Sequence, residues 1–134
     1  MGWGTGNVGG GFGGGRAQSM ELRWENASPT SEFPEQTVSV NLSDGEYALI
    51  GFKGYYATNV IGYKLCKVGT VAELYRPISQ DQYYKFIIAD RTATISADSV
   101  KFSNASVVNA VDAPSTTNSF LVPVEIYIVK GVST

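Results

Sequence analysis

Apolar residues in this chain recur with period two in short runs. No ten-residue window sustains the 3.6-residue period of a helix together with helix-favouring composition. Residues 20–24 and 38–42 alternate apolar with polar side chains, the pattern of a half-buried strand. Residues 46–54 (EYALIGFKG) are apolar on both faces and read as a central strand covered twice. Further strands are expected at 59–68, 70–75, 83–89, 91–96 and 99–102, the fourth and third of these separated at Asp90. A last strand over 120–130 sets Val124, Ile126 and Ile128 on one face. Pro123 cannot donate to a ladder, so this strand begins at an edge or carries a bulge there. Turn signals fall between the runs, at Ser43-Asp44-Gly45, Pro77, Ser103-Asn104 and 114–118. The polar stretch 104–119 reads as an exposed loop. About eight short strands with turn signals between them predict an all-β fold, an antiparallel β-sandwich of jelly-roll type.

The first eighteen residues differ from everything that follows. Nine of the fifteen glycines lie within residues 1–15, a density that loses too much backbone entropy to order alone. Trp3, Val8 and Phe12 interrupt the glycines, which a plain spacer would not need. The division expected is a Gly-rich attachment arm over 1–18, binding a partner through Trp3, Val8 and Phe12, and a β-domain over 19–134. Gly4 to Gly9 spells G-x-G-x-x-G, yet a dinucleotide site needs a strand before it and a helix after it. Neither is expected here. The arm also lacks the basic and apolar regions of a secretion signal, and no apolar run approaches the roughly 20 residues of a membrane helix. The chain is therefore expected to be made in the cytoplasm, with no membrane insertion. The triplets at Asn26, Asn41 and Asn104 are then read as chance Asn-x-Ser sequences.

Composition narrows the chemistry. The chain has no His and one Cys, Cys66, which excludes His-based triads, thiolate zinc sites and internal disulfides. Ten basic against twelve acidic residues, with no basic run, argue against a nucleic-acid partner. Carboxylate pairs are the remaining catalytic route. Glu21/Glu25, Glu32/Glu35 and Asp44/Glu46 lie close in sequence but read as solvating and turn-capping groups. No enzymatic activity, cofactor or metal is expected. Cys66 sits in an apolar strand pattern and reads as a small core residue. Lys53, Lys64, Lys67, Lys85 and Lys101 are scattered singly and read as edge-blunting, solvated lysines. Tyr55-Tyr56 and Tyr83-Tyr84 are adjacent pairs, so at most one ring of each can enter the core. These four are the candidate ligand contacts, suited to flat stacking on sugars or on another subunit.

Two stretches carry a resemblance. One runs Trp24-Glu25-Asn26-Ala27-Ser28-Pro29-Thr30-Ser31-Glu32-Phe33, then Gln36-Thr37-Val38; the other is Pro123-Val124-Glu125-Ile126-Tyr127-Ile128-Val129-Lys130-Gly131. Their order, spacing and Gly-rich leader resemble the small C-terminal β-domains of tailed-bacteriophage virion proteins, in tail fibres, baseplates and related appendages. Ile128-Val129 stands where Gly-Ile is usual in that group, and the region 57–118 carries none of its motifs. The resemblance implies a virion structural protein of tail fibre, baseplate or capsid decoration, forming a homo-oligomer with copies of itself and other virion proteins. It implies Trp24 and Phe33 anchoring the turn between them, and Tyr127 locking the last strand. The alternative it leaves is a host-receptor or carbohydrate-binding module that binds cell-surface glycan.

Overall fold

The computed structural model describes residues 18–53, 60, 62–80, 86–109, 115–116 and 118–131. Within these the protein is all-β, with no helix and two antiparallel sheets. Ten strands are formed: β1 Ser19–Glu25, β2 Gln36–Ser39, β3 Tyr47–Lys53, β4 Gly62–Lys67, β5 Val71–Gln80, β6 Phe86–Ile95, β7 Ser99–Phe102, β8 Ser106–Asn109, β9 Ser115–Thr116 and β10 Val122–Lys130. The first sheet runs β1-β10-β3-β4; the second runs β2-β7-β6-β8-β9, with β5 paired to the free side of β6.

One core lies between the inward faces of both sheets. Ala48, Ile50, Phe52, Ile126 and Ile128 come from the first sheet, and Val38, Leu74, Ala89, Ala93, Ile95, Val100 and Phe102 from the second. Each Leu, Ile or Phe buried completely contributes about 1.5–3 kcal/mol, so these alternating positions drive the assembly of the sheets. At one end Phe33 makes edge contacts with both Trp24 and Phe102, ring centroids 6.3 and 5.5 Å apart. The turn before Phe33 starts with an Asx turn, the Ser28 amide donating to Asn26 Oδ1 at 2.8 Å.

The structure departs from strict alternation at three proline or bulge positions. In β1 the register against β10 shifts between Leu22 and Trp24. Period two alone would put Met20, Leu22 and Trp24 on one face. The extra residue, Arg23, instead leaves Met20 and Leu22 outward and turns Trp24 toward the core. A second shift lies between Pro123 and Glu125 of β10, as the missing proline N–H requires. Val124 is the extra residue there, so it leaves the face shared by Ile126 and Ile128 and stays half-buried. Pro77 was expected to mark a turn; it lies inside β5, at a shift between Pro77 and Ser79. β5 tolerates it because β6 is its one ladder partner among the described residues.

Two other expectations are corrected. Residues on either side of Asp90 do not form separate strands: β6 runs through it, paired with β5 along its length and with β8 and β7 in turn on its other side. Residues 104–119 are not simply a loop. β8 and β9 form within them, and Asn118 closes the stretch by donating Nδ2–H to Asn104 Oδ1 and accepting the Ala105 amide on Oδ1. Polar residues can make strands when a partner strand supplies the ladder, which local composition does not reveal.

The inward positions of β6 read Ala89, Arg91, Ala93, Ile95, and Arg91 is 1% exposed. The small flanking alanines leave room for its long side chain. Nη1 donates to the carbonyls of Phe33 and Ser103 at 2.8 and 2.7 Å, and Nη2 to that of Phe120 at 3.0 Å. The guanidinium also lies 5.4 Å from the centre of the Phe33 ring. Burial pushes its pKa down to about 10, which leaves it charged at neutral pH. Next to Phe120, Leu121 is buried with φ of 50°. A left-handed leucine costs about 1–2 kcal/mol, offset here by burial and by the bond that Arg91 makes to the preceding carbonyl.

On the surface, Arg23 makes a two-pronged contact with Asp44 at 3.0 and 2.8 Å, and Lys130 reaches the same carboxylate at 2.8 Å. Hydrogen bonds from Arg23 and then Lys130 hold the Asp44 carboxyl well below the usual range. The unfolded chain therefore takes up this proton first as pH falls. The stabilisation is complete above about pH 4 and drains away below it. Asp44→Asn should lower the urea midpoint at pH 7 and make the acid arm of the stability curve shallower; an unchanged acid arm would remove Asp44 from that role.

Arg91→Ala would take an Arg91 donor from the carbonyls of Phe33, Ser103 and Phe120. Urea unfolding should show a loss of at least about 3 kcal/mol, at roughly 1 kcal/mol or more per group. Arg91→Met, which refills the volume without donors, should recover only part of it. A Met variant as stable as the parent would mean the carbonyl bonds contribute nothing.

Candidate interaction surface

The two outward faces differ in how their apolar residues are spread. On the second sheet, Val71, Thr94, Lys101 and Thr37 lie in register across four strands, followed by Tyr75, Asp90, Ser106 and Thr116. Thr94, Lys101, Thr37, Asp90 and Ser106 are polar, but Val71 (65% exposed), Tyr75 (55% exposed) and Ile88, two residues from Asp90 along β6, share this face.

On the first sheet apolar side chains extend across all four strands. One row across its four strands is Leu22, Tyr127, Leu49 and Leu65. The next is Met20, Val129, Tyr47 and Lys67, and a third is Glu25, Glu125, Gly51 and Tyr63. Leu49 and Val129 are buried, yet they stand outside the core between the sheets. Met20, Leu22, Tyr63 and Leu65 rim them, between 37% and 53% exposed. This face is a second apolar cluster, and its edges are open.

Gly51 shapes the third row. A Cβ there would come within 2.9 Å of both the Tyr63 ring and Glu125 Cγ, so glycine is what lets the Tyr63 ring lie across β3. Tyr63 Oη donates to Glu125 Oε2 in a long 3.4 Å contact. Burial first, then the Glu125 charge, raise the Tyr63 pKa. The Tyr127 phenol is pushed up to about 12, chiefly by its hydrogen bond to Glu125. Both phenols stay protonated donors at neutral pH, and Glu25 and Glu125 lie at this end of the face.

Edge strands β4 and β5 form the second open feature. The turn 68–70, with Gly69 at φ of 93°, carries the chain from one sheet to the other. An open groove of about 600 Å³ lies between the two strands, lined by Leu65, Cys66, Val71, Ala72 and Tyr75 with Lys64, Lys67 and Glu73 among them. All six exposed large hydrophobic side chains among the described residues, Met20, Leu22, Tyr63, Leu65, Val71 and Tyr75, sit on β1, β4 or β5. Among the described residues these strands end the first sheet or flank β6, and their outer edges have no strand partner there.

The residues singled out from sequence lie elsewhere. Trp3, Val8 and Phe12 of the arm, and Tyr55, Tyr56, Tyr83 and Tyr84, all fall outside the described residues. Lys85 does too. Lys64, Lys67 and Lys101 are exposed on strands, as expected; Lys53 is not. It is 5% exposed on the outward side of β3, where burial lowers its pKa. The alternation of β3 could have flagged it, because Leu49, Gly51 and Lys53 share the face opposite Ala48, Ile50 and Phe52. Cys66 joins the core cluster, and burial pushes its thiol up to about 11.

Among the described residues, no group of three or more acidic or Cys side chains is placed to hold a metal ion, and no helix is long and apolar enough to cross a membrane. Comparisons with protein-family models, curated proteins and solved structures find no match.

A protonated, buried thiol should not react. Cys66 should stay unlabelled by Ellman's reagent at pH 8 in the folded protein and label fully in denaturant. Rapid labelling of the folded protein would place Cys66 at the surface.

Proposed function

We propose that this chain is a structural subunit of a tailed-bacteriophage virion, an appendage or decoration protein whose two sheets pack as a β-sandwich of jelly-roll type. It is made in the host cytoplasm, resides on the particle and performs no catalysis. Its 1–18 arm anchors it to neighbouring subunits, and its β-domain is displayed outward.

The observation that carries this reading is how the two resembling stretches meet. β1 pairs with β10 along its length. Asn26 donates its backbone amide to Val124 at 2.7 Å and its side-chain amide to the Pro123 carbonyl at 2.8 Å. Trp24 and Phe33 stack at the same end, and Tyr127 lies beside Leu22. Stretches separated by some ninety residues thus act as one clasp, which gives a physical reason for their joint occurrence. The apolar outward face and the open edges suit a subunit that assembles rather than one that turns over a substrate.

Purified particles should contain the chain, detected by mass spectrometry. Deleting residues 2–15 should leave a folded domain that no longer joins them. Incorporation of the truncated chain at the full level would overturn the anchoring role, and absence of the intact chain from particles would overturn the virion reading.

A further inference from the structure

We infer that Asp44-Gly45 is a latent site of spontaneous backbone isomerisation, which Arg23 and Lys130 hold unreactive in the folded chain. The chemistry is intramolecular and needs no enzyme or cofactor.

Two neighbours force this dipeptide on the turn between β2 and β3. Asp44 supplies the carboxylate that Arg23 grips at 3.0 and 2.8 Å and Lys130 reaches at 2.8 Å. Gly45 lies against β10. A Cβ there would come within 2.6 Å of Ile128 Cδ1 and Cγ1, and Ile128 is fully buried, with no room to yield. No other Asp or Asn in the chain precedes a Gly. A glycine after Asp leaves the next backbone nitrogen unshielded by a side chain, so this pair closes a five-membered ring with the least hindrance.

In the reaction the Gly45 amide nitrogen attacks Asp44 Cγ. The N–Cγ bond forms, the Cγ–OH bond breaks, and the amide proton leaves with the hydroxyl as water. A second water then opens the succinimide at either carbonyl. Opening at the main-chain carbonyl routes the backbone through Cγ, an isoaspartyl link of unchanged mass with one more methylene in the chain.

The folded geometry opposes both requirements of that step. Expelling the oxygen needs the neutral acid, yet Oδ1 accepts from Arg23 Nη1, and Oδ2 from Arg23 Nη2 and Lys130 Nζ. These cationic donors favour the ionised carboxylate. Bonding also needs Cγ to move onto the Gly45 nitrogen, which breaks the two-pronged contact. Arg23 is itself fixed, with Nε donating to Glu21 at 2.9 Å, Nη1 also to the Asn41 carbonyl at 2.8 Å, and a side chain only 14% exposed. Within the turn, the Ser43 amide and hydroxyl both donate to Asn41 Oδ1, at 3.1 and 2.6 Å.

The test follows isoaspartate in the full chain at pH 7, labelled by an isoaspartyl methyltransferase. The readout is the tryptic peptide ending at Lys53, in which Asp44 is the only Asp. Unchanged mass separates the product from deamidated Asn26 or Asn41. The folded parent should accumulate label at least about tenfold more slowly than the same chain in urea. Arg23→Gln with Lys130→Gln should remove most of that difference. Arg91→Met, which weakens the fold without touching these contacts, should stay as slow as the parent. Asp44→Glu should give no label of unchanged mass in either state, because its ring would need six members. A parent as fast folded as unfolded, a double variant as slow as the parent, or an Arg91→Met variant as fast as the double variant would overturn the inference. So would label in Asp44→Glu, or none at Asp44 in urea.

Discussion

A single guanidinium holds the open end of the two-sheet core together. Arg91 reaches inward from the middle of the longest ladder and binds carbonyls from the segment before β2, the segment after β7 and the segment before β10. Those three segments lie apart in sequence, and Arg91 brings a carbonyl from each to one guanidinium. A charge without a counterion is tolerated there because three oxygen dipoles and an aromatic face surround it, in the planar geometry that a lysine could not match. The strained Leu121 and the Trp24–Phe33–Phe102 stack both border this point. The aromatic clasp, the turn into β2 and the start of β10 all rest on one side chain.

Bulges decide what the surface presents. One extra residue in β1 sends Trp24 into the core and leaves Met20 and Leu22 outside, so the edge of the first sheet is apolar where alternation alone would make it polar. The bulge beside Pro123 releases Val124 to receive the Asn26 amide. Two small irregularities thus build both the clasp between the ends of the domain and the rim of the outward apolar face.

That outward face explains why the two sheets are not equivalent. The second sheet keeps its exposed apolar side chains mainly on edge strand β5, whereas the first carries Leu, Tyr, Met and Val across four strands. On the first sheet the exposed apolar residues, Met20, Leu22, Tyr63 and Leu65, lie on the edge strands β1 and β4, around buried Leu49 and Val129. Those two stand at its centre, on the side of the sheet away from the core between the sheets.

Much of this was legible in the residues themselves. Period-two patterning without a 3.6 period sufficed for an all-β chain, the doubly apolar run 46–54 for a central strand buried on both faces, Pro123 for an edge or a bulge, and the apolar setting of Cys66 for a core thiol. Each follows from local geometry, because a strand's side-chain alternation and a proline's missing N–H do not depend on what packs nearby. Tertiary structure decided the rest. Whether β6 breaks at Asp90, whether 104–119 can form strands, where Arg91 finds its acceptors, and which face Leu22 takes all depend on partner strands far away in sequence. Pairing register is a long-range property, and a shift of one residue exchanges the two faces of a strand. The same holds for function: the chemistry excluded by the absent His followed from composition, while the apolar face emerged only when four strands from both ends and the middle of the chain were laid side by side.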